Sequence, residues 1–506
     1  MFMENLKKEL NSEKQLTENG AVGYRTSGKK LLDLNFKVSS FRSQSDEAIE
    51  IAFSDAFFEN PLLAIKWLFY GRDARGGIGE RRLFRISMKW LAKIRPELVR
   101  VLLPLIPEYG RWDDVVDLLE IDELQDAITE LIRKQLLDDV ENMQQVKPVS
   151  LCSKWMPRVN TSSAKTKEKA KLLCRLLGAR EAEYRKTISM LNKYLQTVEV
   201  SMSAQNWKEI DYAAVPSGAN LLYRNAFLKH DETRRKLYLE ALEKGETKIN
   251  ASVLFPHDIV HRYMTTTGYR RSVGRKDTAL EELWKALPDY VNGAGNTIVV
   301  ADGSGSMTCC VGNTEVMALD VANALAIYFA EHSTGQFKDN YITFSTRPQL
   351  VDFSNATSLQ EKIGIALQHC EVADTNIKAT FDLILQTAID NKMSQEDIPA
   401  NILIISDMEF NRAVYDTPGQ TLFDRIAEKY EHHGYKLPHL VFWNVNSRTG
   451  TVPVQENSCG VALVSGFSPA ICNMVLSGEL DPFQNLLNEI NKERYNAVET
   501  AVMDII

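Results

Sequence analysis

Asp302, Ser304, Ser306, Thr375 and Asp407 carry hard oxygen atoms in an order that suits a small divalent cation. The first three form a D-x-S-x-S loop, Asp302-Gly303-Ser304-Gly305-Ser306. Thr375 stands in Asp374-Thr375-Asn376, ahead of a helical stretch, and Asp407 directly follows the apolar run NILIIS. With only one or two carboxylates, such a set favours Mg²⁺ or Mn²⁺, which keep several waters and leave a position for an outside oxygen. Asp302 and Asp407 would supply charge, mostly through waters. Ser304, Ser306 and Thr375 would be neutral ligands, direct or water-bridged. A lone D-x-S-x-S is ordinary turn chemistry, and the pattern gains force from the Thr and the second Asp following in order behind apolar runs.

Enzyme signatures are missing from the sequence: it has no G-x-S-x-G, H-E-x-x-H or G-x-x-x-x-G-K-[ST]. The 8 histidines do not cluster, and the 7 cysteines form no C-x-x-C pair, so reduced thiols are expected. A metal-assisted phosphohydrolase is the one enzyme alternative. Its only nearby bases would be the two aspartates, so a binding site is expected rather than a catalytic one.

The elements that must position these residues change character along the chain. From about 45 to 287, apolar residues recur at three and four, as in ERRLFRISMKWLAKI at 80–94, predicting short amphipathic helices. Helices are predicted over 61–69, 80–94, 97–106, 113–120, 123–137, 165–177, 181–198, 220–227, 231–244 and 278–287. From Gly293 onward, short apolar runs alternate with helical ones: 296–301, 340–344, 401–406, 438–445 and 460–464. Continuous apolar strands spaced by helices predict a parallel, doubly wound α/β sheet covered on both faces. In that architecture ligands bind at the carboxyl ends of strands, where Asp302 and Asp407 stand.

The 506 residues carry a net charge of −8, which taken whole argues against coating nucleic acid. Residues 1–300 hold 47 Lys+Arg against 41 Asp+Glu, and 301–506 hold 12 against 26, so the halves are +6 and −14. Three basic stretches stand out: Lys165, Lys167, Lys169, Lys171, Arg175, Arg180, Arg185 and Lys186; Arg262, Arg270, Arg271, Arg275 and Lys276; and Arg72, Arg75, Arg81, Arg82 and Arg85. Such residues, interleaved with Tyr and Thr, suit phosphate contacts and base stacking, although solvated helix faces read the same way. In Arg72 to Arg82, structural Arg–Asp pairing is expected instead of a phosphate loop. With no signal-peptide pattern and no 18-residue apolar stretch, an intracellular, cytoplasmic protein is expected, virus-encoded proteins in a host included.

The five oxygen-bearing positions resemble the metal-ion-dependent adhesion site of von Willebrand factor A (vWA) domains. That resemblance implies a vWA domain over 293–480 whose metal takes a carboxylate or phosphate oxygen from a partner. The strings NPLLAIKWLFYGRDARGGIGERR at 60–82, YGRWDD at 109–114, KWMP at 154–157, VPS at 215–217, FPH at 255–257 and SDMEF at 406–410 resemble a domain of unknown function seen in viruses, bacteria and plants. Its arrangement is similar to Ro-type TROVE proteins. The resemblance implies an all-α HEAT-like helical-repeat domain, ring-shaped, over 45–290. Residues 1–44 would form a tail or a strand returning to another domain, and 481–506 a C-terminal helix. It also implies non-catalytic binding of structured or misfolded small RNA on the basic helical surface. The alternative is a scaffold whose metal site captures an acidic residue of a protein partner, without RNA.

Overall fold

The computed structural model describes residues 14–17, 22–267, 270–291, 296–344, 347–370, 376–410, 422–448, 450, 452–453, 461–468 and 481–506. The chain packs as two units, one of Met1–Glu59 with Leu254–Ile490, the other of Asn60–Val253 with Asn491–Ile506. Among the described residues no helix is long and apolar enough to cross a membrane.

The first unit is built on a six-stranded sheet. Its strands are β5 (Thr297–Asp302), β6 (Asn340–Phe344), β7 (Gln349–Asp352), β8 (Asn401–Ser406), β9 (His439–Asn444) and β10 (Val461–Ser465), in the order β10-β9-β8-β5-β6-β7. All neighbours are parallel except β6 and β7, which are antiparallel. Every residue of β5 is buried, as a strand covered on both faces requires. Helix Ala318–His332 packs on β5, β6 and β8 and is buried along all but its last two residues. The strand order reverses between β5 and β8, which makes the crevice at their carboxyl ends the switch point of a doubly wound sheet.

The boundaries expected near 45 and 290 move. Of residues 1–44, expected as a tail or a strand returning to another domain, the described part does pair: β1 (Lys14–Leu16) and β2 (Val22–Tyr24) form antiparallel partners, and Tyr24 exchanges two backbone hydrogen bonds of 2.8 Å with Val452. Helix Lys30–Phe36, absent from the predicted elements, buries Leu31, Leu32, Leu34 and Phe36; Asn444 Nδ2 donates to the Phe36 carbonyl at 2.8 Å. At the other boundary, helix Pro256–Tyr263 packs on helix Ala318–His332, and the hairpin of β3 (Met264–Thr267) with β4 (Arg270–Val273) follows it. The switch in texture at Gly293 marks a change of element type, whereas packing partners divide the chain at 253/254. The C-terminal segment is likewise split, with Pro482–Ile490 in the sheet unit and Asn496–Val502 in the helical one.

The helical unit follows its periodicity. Helix Pro61–Arg72 starts with Asn60 accepting from the Leu63 N–H and Pro61 in the first turn, a start signal written into the sequence. Helix Arg81–Ile94 buries Leu83, Phe84, Ser87, Met88, Leu91 and Ala92, one stripe at helical spacing. Helix Asp122–Gln144 runs seven residues past the predicted end and packs against Ala164–Leu177 and Glu181–Tyr194. The helix expected over 181–198 stops at Tyr194, because Gln196 takes a left-handed φ of 48°.

The glycine- and arginine-rich motifs of this unit are structural, as expected. Asp114, buried at the start of Trp112–Asp117, accepts from Arg72 Nε at 2.8 Å, Arg85 Nε at 2.6 Å and the Arg111 N–H at 3.1 Å. Gly110 sits so close that a Cβ there would lie 2.7 Å from Asp114 Oδ2. Asp73 takes Arg494 Nη2 at 3.0 Å and the Tyr495 hydroxyl at 3.2 Å, while buried Lys66 holds Asn491 at 2.7 Å and Glu499 at 2.6 Å. These pairs bind the C-terminal residues into the helical unit. Two family-like strings also meet, with the Arg111 guanidinium 4.5 Å over the ring of Trp155.

Asp114→Ala is expected to leave the buried Arg72 guanidinium without its carboxylate, at a cost of about 3–5 kcal/mol. Urea unfolding followed by circular dichroism checks this; a destabilisation under about 1 kcal/mol, the scale of an exposed ion pair, would mean that the motif is not held this way.

Candidate metal centre

Asp302 ends β5 and Asp407 follows β8, the two strands flanking the switch point. Register Ala301↔Ile405 brings both carboxylates to one sheet edge, each about 1% exposed. The Ser304 N–H donates to Asp302 Oδ1 at 2.9 Å, and the Ser406 hydroxyl to Asp302 Oδ2 at 2.6 Å. Ser304 and Ser306 hydroxyl oxygens lie 3.0 Å apart. Gly303 lets the loop turn closely, since a Cβ there would stand 2.9 Å from Thr343 Oγ1.

The loop after β8 is shaped with equal care. Met408 adopts a left-handed φ of 64°, a conformation costing a non-glycine residue roughly 1–2 kcal/mol. Its N–H donates to Ser406 Oγ at 3.0 Å, and the Glu409 N–H donates to Asp407 Oδ1 at 3.2 Å. Both carboxylates are pushed above the usual range. Burial is the main cause for each, and for Asp407 the negative charge of Asp302 adds to it, lifting it to about 7.

Two buried like charges that want a positive partner, with serine hydroxyls beside them, fit a hard divalent cation that retains waters. Among the described residues no group of three or more His, Cys, Asp or Glu is placed to hold a metal; the donors here are oxygens alone, which soft ions disfavour. Thr375, the remaining expected ligand, lies outside the described residues. Ser406, Glu409 and Arg448 were not anticipated. Ser406 adjoins Asp407 in sequence, but Arg448 comes from the loop after β9 and carries no local signal.

The first two basic stretches fall in different units. On helix Ala164–Leu177, Lys169 is spent on Asp117 at 2.8 Å and Glu120 at 2.9 Å, and Lys165 lies 3.6 Å from Glu120. Arg180 pairs with Glu183. Lys167, Lys171 and Arg175, spaced by four, are exposed, as are Arg185 and Lys186 on the next helix, and none has a carboxylate partner among the described residues. Of the second group, Arg271 is withdrawn from any surface role: it bonds Asp320 at 2.6 Å, where His261 also reaches at 3.1 Å. Arg262, Arg275 and Lys276 are exposed, and Arg270 lies in β4. This second group belongs to the sheet unit, contrary to the expectation that both sit on the helical domain. The charge division nevertheless survives: the helical unit holds 35 Lys+Arg against 29 Asp+Glu and the sheet unit 24 against 38, again +6 and −14.

The model of the domain of unknown function DUF2828 matches residues 17–126 and 111–296, and that of the domain of unknown function DUF7788 matches 296–503. The uncharacterized protein L728 of Acanthamoeba polyphaga mimivirus is 28% identical over 526 residues, spanning 95% of this chain and 88% of that one. Among solved structures, the Deinococcus radiodurans RO (RSR) protein aligns at a TM-score of 0.45 and 13% identity, over 86% of this chain and 94% of its own.

Without a divalent cation, stability should fall as pH rises between about 4 and about 7, because the folded chain holds the Asp407 proton more tightly than the unfolded chain does. Mg²⁺ at pH 8 should restore it, by about 2.7 kcal/mol at a hundredfold excess over its dissociation constant. Thermal melts at pH 5 and 8, with EDTA or Mg²⁺, read both effects. An Asp302→Asn chain that still gains the full Mg²⁺ stabilisation would remove Asp302 from the site.

Proposed function

The chain belongs to the family of the domain of unknown function DUF2828, and from that premise we propose a non-catalytic binding protein on the Ro/TROVE plan. RNA binds the basic helical unit, and the sheet unit is a vWA-type domain holding Mg²⁺, or Mn²⁺, at the β5 and β8 ends. The carrying observation is the pair of buried carboxylates, Asp302 and Asp407, at the adjoining ends of β5 and β8, with the Ser304 and Ser306 hydroxyls in the loop after β5. When bound, the ion supplies an open coordination position for an oxygen of the ligand. Asp302 and Asp407 provide the charge, while Ser406 and the backbone N–H groups of Ser304 and Glu409 fix the carboxylate orientations. The two aspartates are committed to the cation, so neither serves as a general base.

For RNA, the supporting observation is the set of exposed cations Lys167, Lys171, Arg175, Arg185 and Lys186 on a unit of net +6. Paired Lys165, Lys169 and Arg180 contribute less, since binding a phosphate would cost them their carboxylates. The family resemblance in the sequence supplies the rest of the RNA reading. The acidic sheet unit is poorly suited to a polyanion, which leaves its metal site for a single carboxylate or phosphate group. A scaffold that uses this site on an acidic protein partner, without RNA, is the second reading.

Replacing Lys167, Lys171, Arg175, Arg185 and Lys186 by Gln should weaken RNA binding at least tenfold at physiological salt. It should also flatten the plot of log K against log[salt] by about 0.7–0.9 for every phosphate no longer neutralised. Filter binding across a salt series measures both. An unchanged slope, together with a protein complex resistant to nuclease and released by EDTA, would leave the scaffold reading in its place.

A further inference from the structure

We infer that Arg448 is the anion-recognising arm of the metal site: it stays beside Asp407 while the carboxylates lack a cation, and turns to the ligand's oxyanion once a cation is bound. This rests on the reading of Asp302 and Asp407 as a cation site. Arg448 lies in the loop after β9, the neighbour of β8, and places Nη2 3.5 Å from Asp407 Oδ2 and Nη1 3.8 Å from Cys309 Sγ. Its side chain is 36% exposed, whereas that of Asp407 is 2% exposed.

The arm is anchored in place. The Arg448 N–H donates to Glu409 Oε1 at 3.0 Å, and Glu409, fully buried, stands two residues beyond Asp407. The N–H groups of Asn446 and Ser447 donate to Asn444 Oδ1 at 3.1 and 2.8 Å, and the Gly450 N–H to Ser447 Oγ at 3.0 Å. A buried carboxylate thus ties the backbone that carries Arg448 to the loop that carries Asp407, and the guanidinium lies beside Asp407. Among the described residues Asp302 gets no such help; its partners are the Ser304 N–H and the Ser406 hydroxyl.

Arg448 and a divalent cation compete for the charge of Asp407, so each weakens the other's hold. A cation on Asp407 therefore releases a planar donor pair matched to a phosphate or carboxylate edge. Cation and oxyanion then bind with positive coupling, reciprocal by thermodynamic necessity.

The test uses the full chain and the variants Arg448→Gln and Arg448→Lys, with unchanged circular dichroism as the folding check. Calorimetry should show Mn²⁺ binding at least threefold tighter in Arg448→Gln than in the natural chain. Equilibrium dialysis of inorganic phosphate at saturating Mg²⁺ should show at least fivefold weaker retention by Arg448→Gln, with Arg448→Lys in between. Acetate that displaces phosphate marks a carboxylate source for the oxyanion, and acetate that does not marks a phosphate source. Mn²⁺ and phosphate affinities both unchanged in Arg448→Gln would overturn the role given to Arg448. No Mn²⁺ binding by the natural chain would instead overturn the cation site itself.

Discussion

Two carboxylates buried at neighbouring strand ends are the constraint from which the rest of the sheet unit follows. Like charges taken out of water are costly, and each must be met by donors or by a cation. Asp302 and Asp407 are met by the Ser304 and Glu409 amides, the Ser406 hydroxyl and the Arg448 guanidinium. Those partners come from three loops, so the parallel pairing of β5, β8 and β9 has to be in register for the charges to be bearable. The left-handed Met408 and the close turn at Gly303 are local costs accepted to bring the loops there.

The helical unit solves a comparable problem with guanidinium groups. Asp114 is surrounded by two guanidinium groups and a backbone amide, and Asp73 by Arg494 and Tyr495. Each of those guanidinium groups has a protein anion in place, which makes these motifs ties and not receptors. Asp302 differs in that its donors are neutral, the Ser304 N–H and the Ser406 hydroxyl.

Much of this was legible in the sequence because it is local. Periodicity located helices such as Arg81–Ile94, and apolar runs followed by Asp located β5 and β8 with their carboxylates. What stayed hidden is what depends on packing at a distance. Helix Lys30–Phe36 is short and flanked by polar residues, and its apolar face acquires meaning only against β10, which lies more than 400 residues later. Arg448 reaches the site through strand order, and Arg271 looked like a surface cation until Asp320 arrived from another element. Residue type announces charge, but only the tertiary partner decides whether that charge is available.

The sheet unit is assembled from two stretches of chain separated by the whole of Asn60–Val253. A ribosome makes Leu31, Leu32, Leu34 and Phe36 early, yet β9 and β10, which complete their surroundings, come last. During synthesis that apolar helix must wait, while 60–253 emerges and can begin to pack first. Even that packing lacks Arg494 and Tyr495 until those residues are made. Both units therefore close late and almost together, so a nascent chain halted before about 460 would expose apolar surface from its beginning and invite chaperones or aggregation.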